Sequence, residues 1–427
     1  MNTGLMAGFA DVDITPTTLP VRAYRATACE VLDPLYAHAA AFRHGKTTLA
    51  IVSLDVVIVE ASVVAEVRRL AASQHNIAEE NILVCATHNH ACPAVIERPK
   101  FPRADDYVAY MAAQAAKAVV QAIDRLTAAT LSVRSGFEHR VSFNRRFITR
   151  DDCVVTSPGS TNLPRVLCNE NVIDPELGVL RVATPEGRTM GVLVNFASHA
   201  CHCGGRLSAG YPGELCRRLK DDLGPKCGTV FLNGPCANVY HGDFLNPHQV
   251  NTKERIGGLL ADTVLELLQE MPPPSDDRIE LLSKHLRIPY RDFAEAERQF
   301  EDPDVRRNVF QALIKDRWYD YPALKRMAES NGGGEDVEIQ AFRLGEAVFA
   351  AIPAEYFMEH GLRIKQQSPV ERTYVVSLAN GWVGYIPTLA AFQRKGGHET
   401  TTAFWSKMCR EAGDMMADAA LDLIRQL

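Results

Sequence analysis

Short apolar runs alternate with amphipathic stretches along most of the chain, the pattern of strands interleaved with helices. "TLAIVSLDVVIV" (48–59) reads as a buried strand, followed by a helix over 60–75 and the strand "ILVCA" at 82–86. The alanine-rich 107–126 segment predicts a helix, with "ATLSVRSGF" (129–137) a strand after it. "LGVLRVATPEGRTMGVLVNFASH" (177–199) reads as two strands joined by a turn at Pro185-Glu186-Gly187. A helix over 213–222, the strand "GTVFLNG" (228–234) and a long helix over 251–270 follow. "EMPPPSDD" (270–277) is the clearest linker-like break. Beyond it come a strand over 279–289, a polar helical region over 291–330 and the loop "NGGGED" at 331–336. A strand pair over 337–351, a helix from 355, a strand over 373–378 and a closing helix over 403–427 complete the series. No internal repeat or low-complexity tract is evident. The expected fold class is α/β, a mixed β-sheet core flanked by helices. It is read as one elaborated domain over 1–427, with a candidate subdomain break at 270–278.

Composition narrows the function. A hydrophobic share of 46% and a charged share of 23% are those of a globular protein. A net charge of −6 gives no basic footprint for nucleic acid. No apolar stretch reaches the roughly 18 residues a membrane span needs. The N-terminus, "MNTGLMAGFADVDITP", lacks a basic segment followed by an apolar one, which argues against secretion. Eleven cysteines, several inside apolar runs (Cys85, Cys153, Cys227), fit reduced thiols in a cytoplasmic setting better than a disulfide framework. The expected partner is a small-molecule substrate, with room for a homo-oligomer.

Chemistry gathers at strand ends. "THNHACP" places His88 and His90 one residue apart just past the 82–86 strand. If the extended backbone persisted to residue 90, both imidazoles would face one side and suit a divalent metal. A pair of surface histidines in a loop is the plainer reading. "VNFASHACHCGG" (194–205) again ends an apolar strand in histidines, His199 and His202. Its Cys201 and Cys203 are read as small buried residues, or as part of a metal knuckle. In "FLNGPCANVYHGD" (231–243) the Gly234-Pro235-Cys236 turn could bring backbone N–H groups to a ligand, as an oxyanion site needs, or could be a plain turn. Glu355 stands where a strand passes into a helix, a place where carboxylates often just complement the helix dipole. Trp382 and Tyr385 lie in a glycine-rich loop, where aromatics usually pack and a phenolate ligand is the rarer role.

Taken in order, "GFADVDITP", "THNHACP", "FNRR" (143–146), "NFASHACHCG", "YPGE" (211–214), "FLNGPCANV", "PAEYF", "NGWVGYIPT" and "GGHET" (396–400) resemble the catalytic domain of the neutral (non-lysosomal) ceramidases. That family hydrolyses an N-acyl amide bond with one zinc ion. The resemblance implies His88, His199, Glu355 and Tyr385 as the ligands of a Zn2+ ion. It places His90 beside the metal and Arg145 in the segment that contacts substrate. Gly234 and Cys236 fall in the loop expected to approach the substrate.

The sequence departs from the family where its serine is expected: Tyr240 stands there, and Gly210 replaces an aspartate before "YPG". Ceramide is therefore not the expected substrate. Read as a chain without the family's C-terminal β-sandwich, it is expected to act on a small soluble metabolite. The expectation is a zinc-dependent hydrolase of an amide or related bond, with His90 or Tyr240 moving protons. Ester or lactone hydrolysis, a metal-dependent isomerase or lyase, a non-catalytic metal-binding homologue, and a thiol mechanism through Cys236 or Cys201 are the alternatives.

Overall fold

The computed structural model describes residues 4–427 apart from 25, 98–101, 203, 204, 247, 275, 295–297, 299–301 and 305–320. Although the sequence shows no repeat, the chain builds the same unit three times. In each, three successive antiparallel strands are followed by a crossover helix, a fourth strand parallel to the third, and a second helix. The first unit runs through Met6–Asp13, Tyr36–His44, Thr47–Leu54, the helix Ala61–Ala72, Ile82–Ala86 and the helix Asp105–Asp124. The second runs through Thr130–Phe137, Glu176–Ala183, Thr189–Phe196, the helix Gly210–Leu223, Gly228–Asn233 and the helix Lys253–Gln269. The third runs through Ile279–Pro289, Gly334–Leu344, Ala347–Ile352, the helix Met358–Gln367, Thr373–Ser377 and the helix Ala412–Ile424. In space each sheet is ordered fourth, third, second, first. The linker-like 270–277 stretch falls between the second and third units.

Burial explains why the strands read as unbroken apolar runs. One face of every sheet looks into a shared core, where Leu49 and Ile51 of the first sheet meet Leu193 and Val230 of the second and Phe349 and Val376 of the third. The other face packs on that unit's helices, as Val52 and Leu54 do on Val63, Val67 and Met111. Neighbouring residues point to opposite faces, and here both faces are dry, so alternation is replaced by continuous hydrophobicity. No helix among the described residues is long and apolar enough to cross a membrane.

Three expectations need correction. The closing helix starts at Ala412, because residues 403–408 form a tight turn, with Ala403 and Ser406 bridged across 404–405. Trp405 and Lys407 there offer carbonyls to the N–H groups of Tyr385 and Arg291. The helix predicted from 355 begins at Met358, and Glu355 sits in a two-residue strand beside Tyr385. Of the polar helical region, Tyr321–Ser330 is a helix, and most of 295–320 lies outside the described residues.

Two features make predictions of their own. Gly384, next to Tyr385, has φ +94°, and a Cβ there would lie 2.2 Å from the Trp405 carbonyl oxygen. Gly384→Ala adds the strain of positive φ to a backbone clash and is expected to cost about 2–6 kcal/mol, read from urea unfolding. His38 is buried between the carboxylates of Asp11 (Nδ1–Oδ1 2.5 Å) and Asp55 (Nε2–Oδ2 3.6 Å). Asp11 also binds Lys220 of the second unit at 2.7 Å. Burial alone pushes the His38 pKa down, but Cys216 and the Asp11 and Asp55 carboxylates outweigh it and hold the imidazole well above its ordinary 6.5. A raised folded pKa stabilises fully below the unfolded value and fades as pH climbs through the folded one. His38→Phe is therefore expected to lose most stability, relative to wild type, at or below pH 6.5, with the gap narrowing in alkali. A gap that widened with pH in urea titrations would contradict this.

Candidate active site

The three units bring the C-terminal ends of their third and fourth strands together, the usual place for ligands in α/β sheets. His199 lies three residues past Phe196, the end of the second unit's third strand. Glu355 lies three past Ile352, the same position in the third unit. The matching position in the first unit is Val57, which contributes a carbonyl, and the imidazole comes instead from His88, just past the fourth strand. Cys236 lies three past Asn233, the end of the second unit's fourth strand, one position further on than His88 in the first.

His88 and His90 do not reach one point by strand alternation. The strand stops at Ala86, and His88 adopts φ +65°. That left-handed turn costs a β-carbon-bearing residue roughly 1–3 kcal/mol, and such strain is typically found at functional positions. It carries the His88 ring inward, with Nε2 3.0 Å from His199 Nε2, 3.4 Å from His90 Nε2 and 3.4 Å from Glu355 Oε2.

The tautomers follow from the neighbours. His88 Nδ1 lies 2.8 Å from the Val57 carbonyl, and His199 Nδ1 lies 3.1 Å from that of Cys236. A carbonyl only accepts, so both Nδ1 atoms carry a proton, and Nε2 is the ligating lone pair of either ring when neutral. Burial first, then the Arg145 guanidinium and the neighbouring His88 and His90, hold the His199 pKa well below 6.5. Glu355 Oε1 accepts from Trp382 Nε1 at 3.1 Å, while its buried Oε2 has no hydrogen-bond partner. Burial raises the Glu355 pKa, but His88, Tyr385 and Arg145 more than offset it, so the carboxylate stays ionised. Donor atoms of His88, His199 and Cys236 all lie within 4.8 Å of one another. Two imidazole nitrogens, a carboxylate oxygen and a thiol converging on one buried point fit a divalent cation.

Around this point the other candidates take definite places. Tyr385 pairs in register with Glu355, and burial, then the Glu355 charge, push its phenol well above pKa 10. Arg145 donates from Nη2 to the Tyr385 oxygen (3.2 Å) and from Nε to Glu399 (2.9 Å). His90 Nδ1 lies 3.3 Å from Cys201 Sγ, and its ring packs edge-on to Tyr24. Burial pushes the Cys236 thiol far up. The Gly234 N–H is bound to the Phe196 carbonyl (2.9 Å), and the Cys236 carbonyl of the same turn accepts from His199 Nδ1. Tyr240 stacks between His241 (4.1 Å) and Phe244 (5.2 Å). His202 covers the other face of His241 at 4.0 Å, away from a knuckle with Cys201; Cys203 lies outside the described residues. Sequence reading gave no role to Glu399 and assigned Trp382 to packing. The "GGHET" and "NGWVGYIPT" segments were visible, but not that they fold onto Arg145 and Glu355.

The architecture defines an α/β protein of the neutral-ceramidase-like fold, with a buried site able to hold a metal ion. Two solved structures carry that likeness. The crystal structure of neutral ceramidase from Pseudomonas aeruginosa superposes with a TM-score of 0.72 at 16% identity, over 100% of this chain and 75% of that one. A ceramidase complexed with C2 gives 0.73 at 17% identity, over 99% of this chain and 75% of that one. No protein-family model matches the sequence, and no curated protein matches it.

Proposed function

We propose that this chain is a zinc-dependent hydrolase that cleaves an amide C–N bond, or a related acyl bond, in a small molecule. The observation that carries the reading is the pair of Nε2 atoms facing each other at 3.0 Å, with the Glu355 Oε2 3.4 Å from His88 and the Cys236 thiol at the same point. Two neutral imidazoles so placed repel unless a cation or a proton lies between them, and the carboxylate and thiol beside them favour the metal ion. The fold's likeness to ceramidases supports hydrolysis as the chemistry. In this reading His88 and His199 hold the ion through Nε2 and Glu355 through Oε2, with Tyr385 and Cys236 at hand to complete the donor set. An ion held there would supply Lewis-acid polarisation of a carbonyl and a water of lowered pKa near neutral pH.

The protein's own groups do the rest. The Nδ1–H bonds to Val57 and Cys236 fix both imidazoles in the ligating tautomer. His90, 3.4 Å from His88, takes the proton of the attacking water and returns it to the leaving nitrogen. Arg145 holds the Tyr385 oxygen and orients the substrate beside it. Tyr240 is the second proton-carrying candidate, on the strand that pairs with Phe143 two residues before Arg145.

The test is a panel of small N-acyl amides, esters, lactones and a short-chain ceramide, assayed with the zinc-loaded protein in ¹⁸O-water. The expected result is an acid product carrying one labelled oxygen. Turnover without label incorporation would convert the reading to an isomerase or lyase, and zinc-loaded protein inert to the whole panel would remove it.

A further inference from the structure

Lys407 is a charged side chain buried to 5% exposure, and the mechanism above gives it no task. Its three donors meet three acceptors. Nζ lies 3.1 Å from the Val383 carbonyl, 3.2 Å from Glu335 Oε1 and 5.3 Å from the centre of the Trp382 ring. Glu335 is itself fixed by the Tyr290 hydroxyl at 2.8 Å. On its far side the same Trp382 indole donates Nε1–H to Glu355 Oε1 at 3.1 Å, which leaves Oε2 as the oxygen turned toward His88. The chain of contacts therefore runs Tyr290, Glu335, Lys407, Trp382, Glu355. A buried ammonium is costly to keep without a purpose, and one over an indole face both pins the ring and draws electron density from it. A ring so polarised is a stronger N–H donor to a carboxylate.

We propose that Lys407 is a positioning residue of the metal centre, acting through the Trp382 indole to hold Glu355 with one oxygen anchored and the other presented to the ion. It deepens the function proposed above and rests on that reading. Groups that orient a metal's ligands typically change affinity by about 10–100-fold when removed. Lys407→Met is expected to weaken zinc binding by about that factor, measured by competition with a chromophoric chelator. Trp382→Phe, which keeps a ring but no N–H, should weaken it similarly. The double variant should be no weaker than the worse single one, because both act along one path. Lys407→Arg, still a cation over the ring, should recover most of the affinity. If Lys407→Met fails to fold, Lys407→Gln carries the same expectation, since it keeps an N–H for the Val383 carbonyl but no charge.

Folded Lys407→Met with unchanged zinc affinity overturns the proposal, as do losses that multiply in the double variant. Wild-type protein that binds no zinc removes the functional reading itself. Wild-type binding with an indifferent Lys407 removes only the positioning role.

Discussion

Zinc is expected to bind wild-type protein as a single ion per chain and to raise its stability by about 4 kcal/mol at a thousandfold excess over the dissociation constant. His88→Ala is expected to abolish both effects. His88 is central to the cluster, with Nε2 within 3.4 Å of His199, His90 and Glu355 at once. Its removal takes away a strong donor and the strained turn's reason for being. Metal analysis after dialysis and thermal unfolding with and without a chelator read the two effects independently. The competing explanation for two imidazoles at 3.0 Å is a shared proton. It predicts a wild type indifferent to chelator and stabilised by mild acid. The Glu355 carboxylate oxygen 3.4 Å from His88 and the Cys236 thiol within 4.8 Å of both imidazoles argue for the metal. A His88→Ala protein that still retained stoichiometric zinc would remove His88 as a ligand and point to the donor set of His199, Cys236 and Glu355.

The strands and most helices were legible because burial on both sheet faces leaves an unmistakable run such as Ala50–Leu54, and helix periodicity survives in segments like Asp105–Asp124. The threefold construction was not legible. The packing asks only for apolar residues at matched places, so Val57, His199 and Glu355 occupy equivalent positions while sharing no chemistry. The condition set for His88 and His90, extended backbone to residue 90, is not met, because a positive φ turns the chain at His88. In the Gly234-Pro235-Cys236 turn the Gly234 N–H is spent on the parallel pairing with Phe196, a long-range partner that no local pattern announces. Residues 403–411 carry a pattern that suits a helix, but 403–408 fold as a turn whose Trp405 and Lys407 carbonyls accept from the distant Tyr385 and Arg291 N–H groups. Long-range convergence is the general limit. Arg145 and Glu399 meet across 254 positions, and no local pattern announces it.

That meeting carries the second large expectation. Glu399 is fully buried, and its two oxygens bind Arg145 Nε (2.9 Å), Arg146 Nη1 (2.8 Å) and the Thr156 hydroxyl (2.7 Å). Glu399→Gln keeps the shape and removes the charge. Arg146 retains Glu170 as a counter-ion, but Arg145 is left facing only the neutral Tyr385 oxygen and the Glu355 carboxylate beyond it. Stranding a buried charge in this way costs about 3–5 kcal/mol, read from urea unfolding at neutral pH. Burial pushes the Glu399 pKa up, but Arg145 and Arg146 prevail and hold it at about 2. A carboxylate with a depressed folded pKa stabilises above its unfolded value, near 4.5, and that contribution is lost as pH falls toward 2. The gap between wild type and Glu399→Gln should therefore be constant above pH 4.5 and shrink as the solution is acidified. A gap that stayed open down to pH 2 would mean that the glutamine disturbs packing rather than charge. Arg145 would then owe its position to Tyr385 alone.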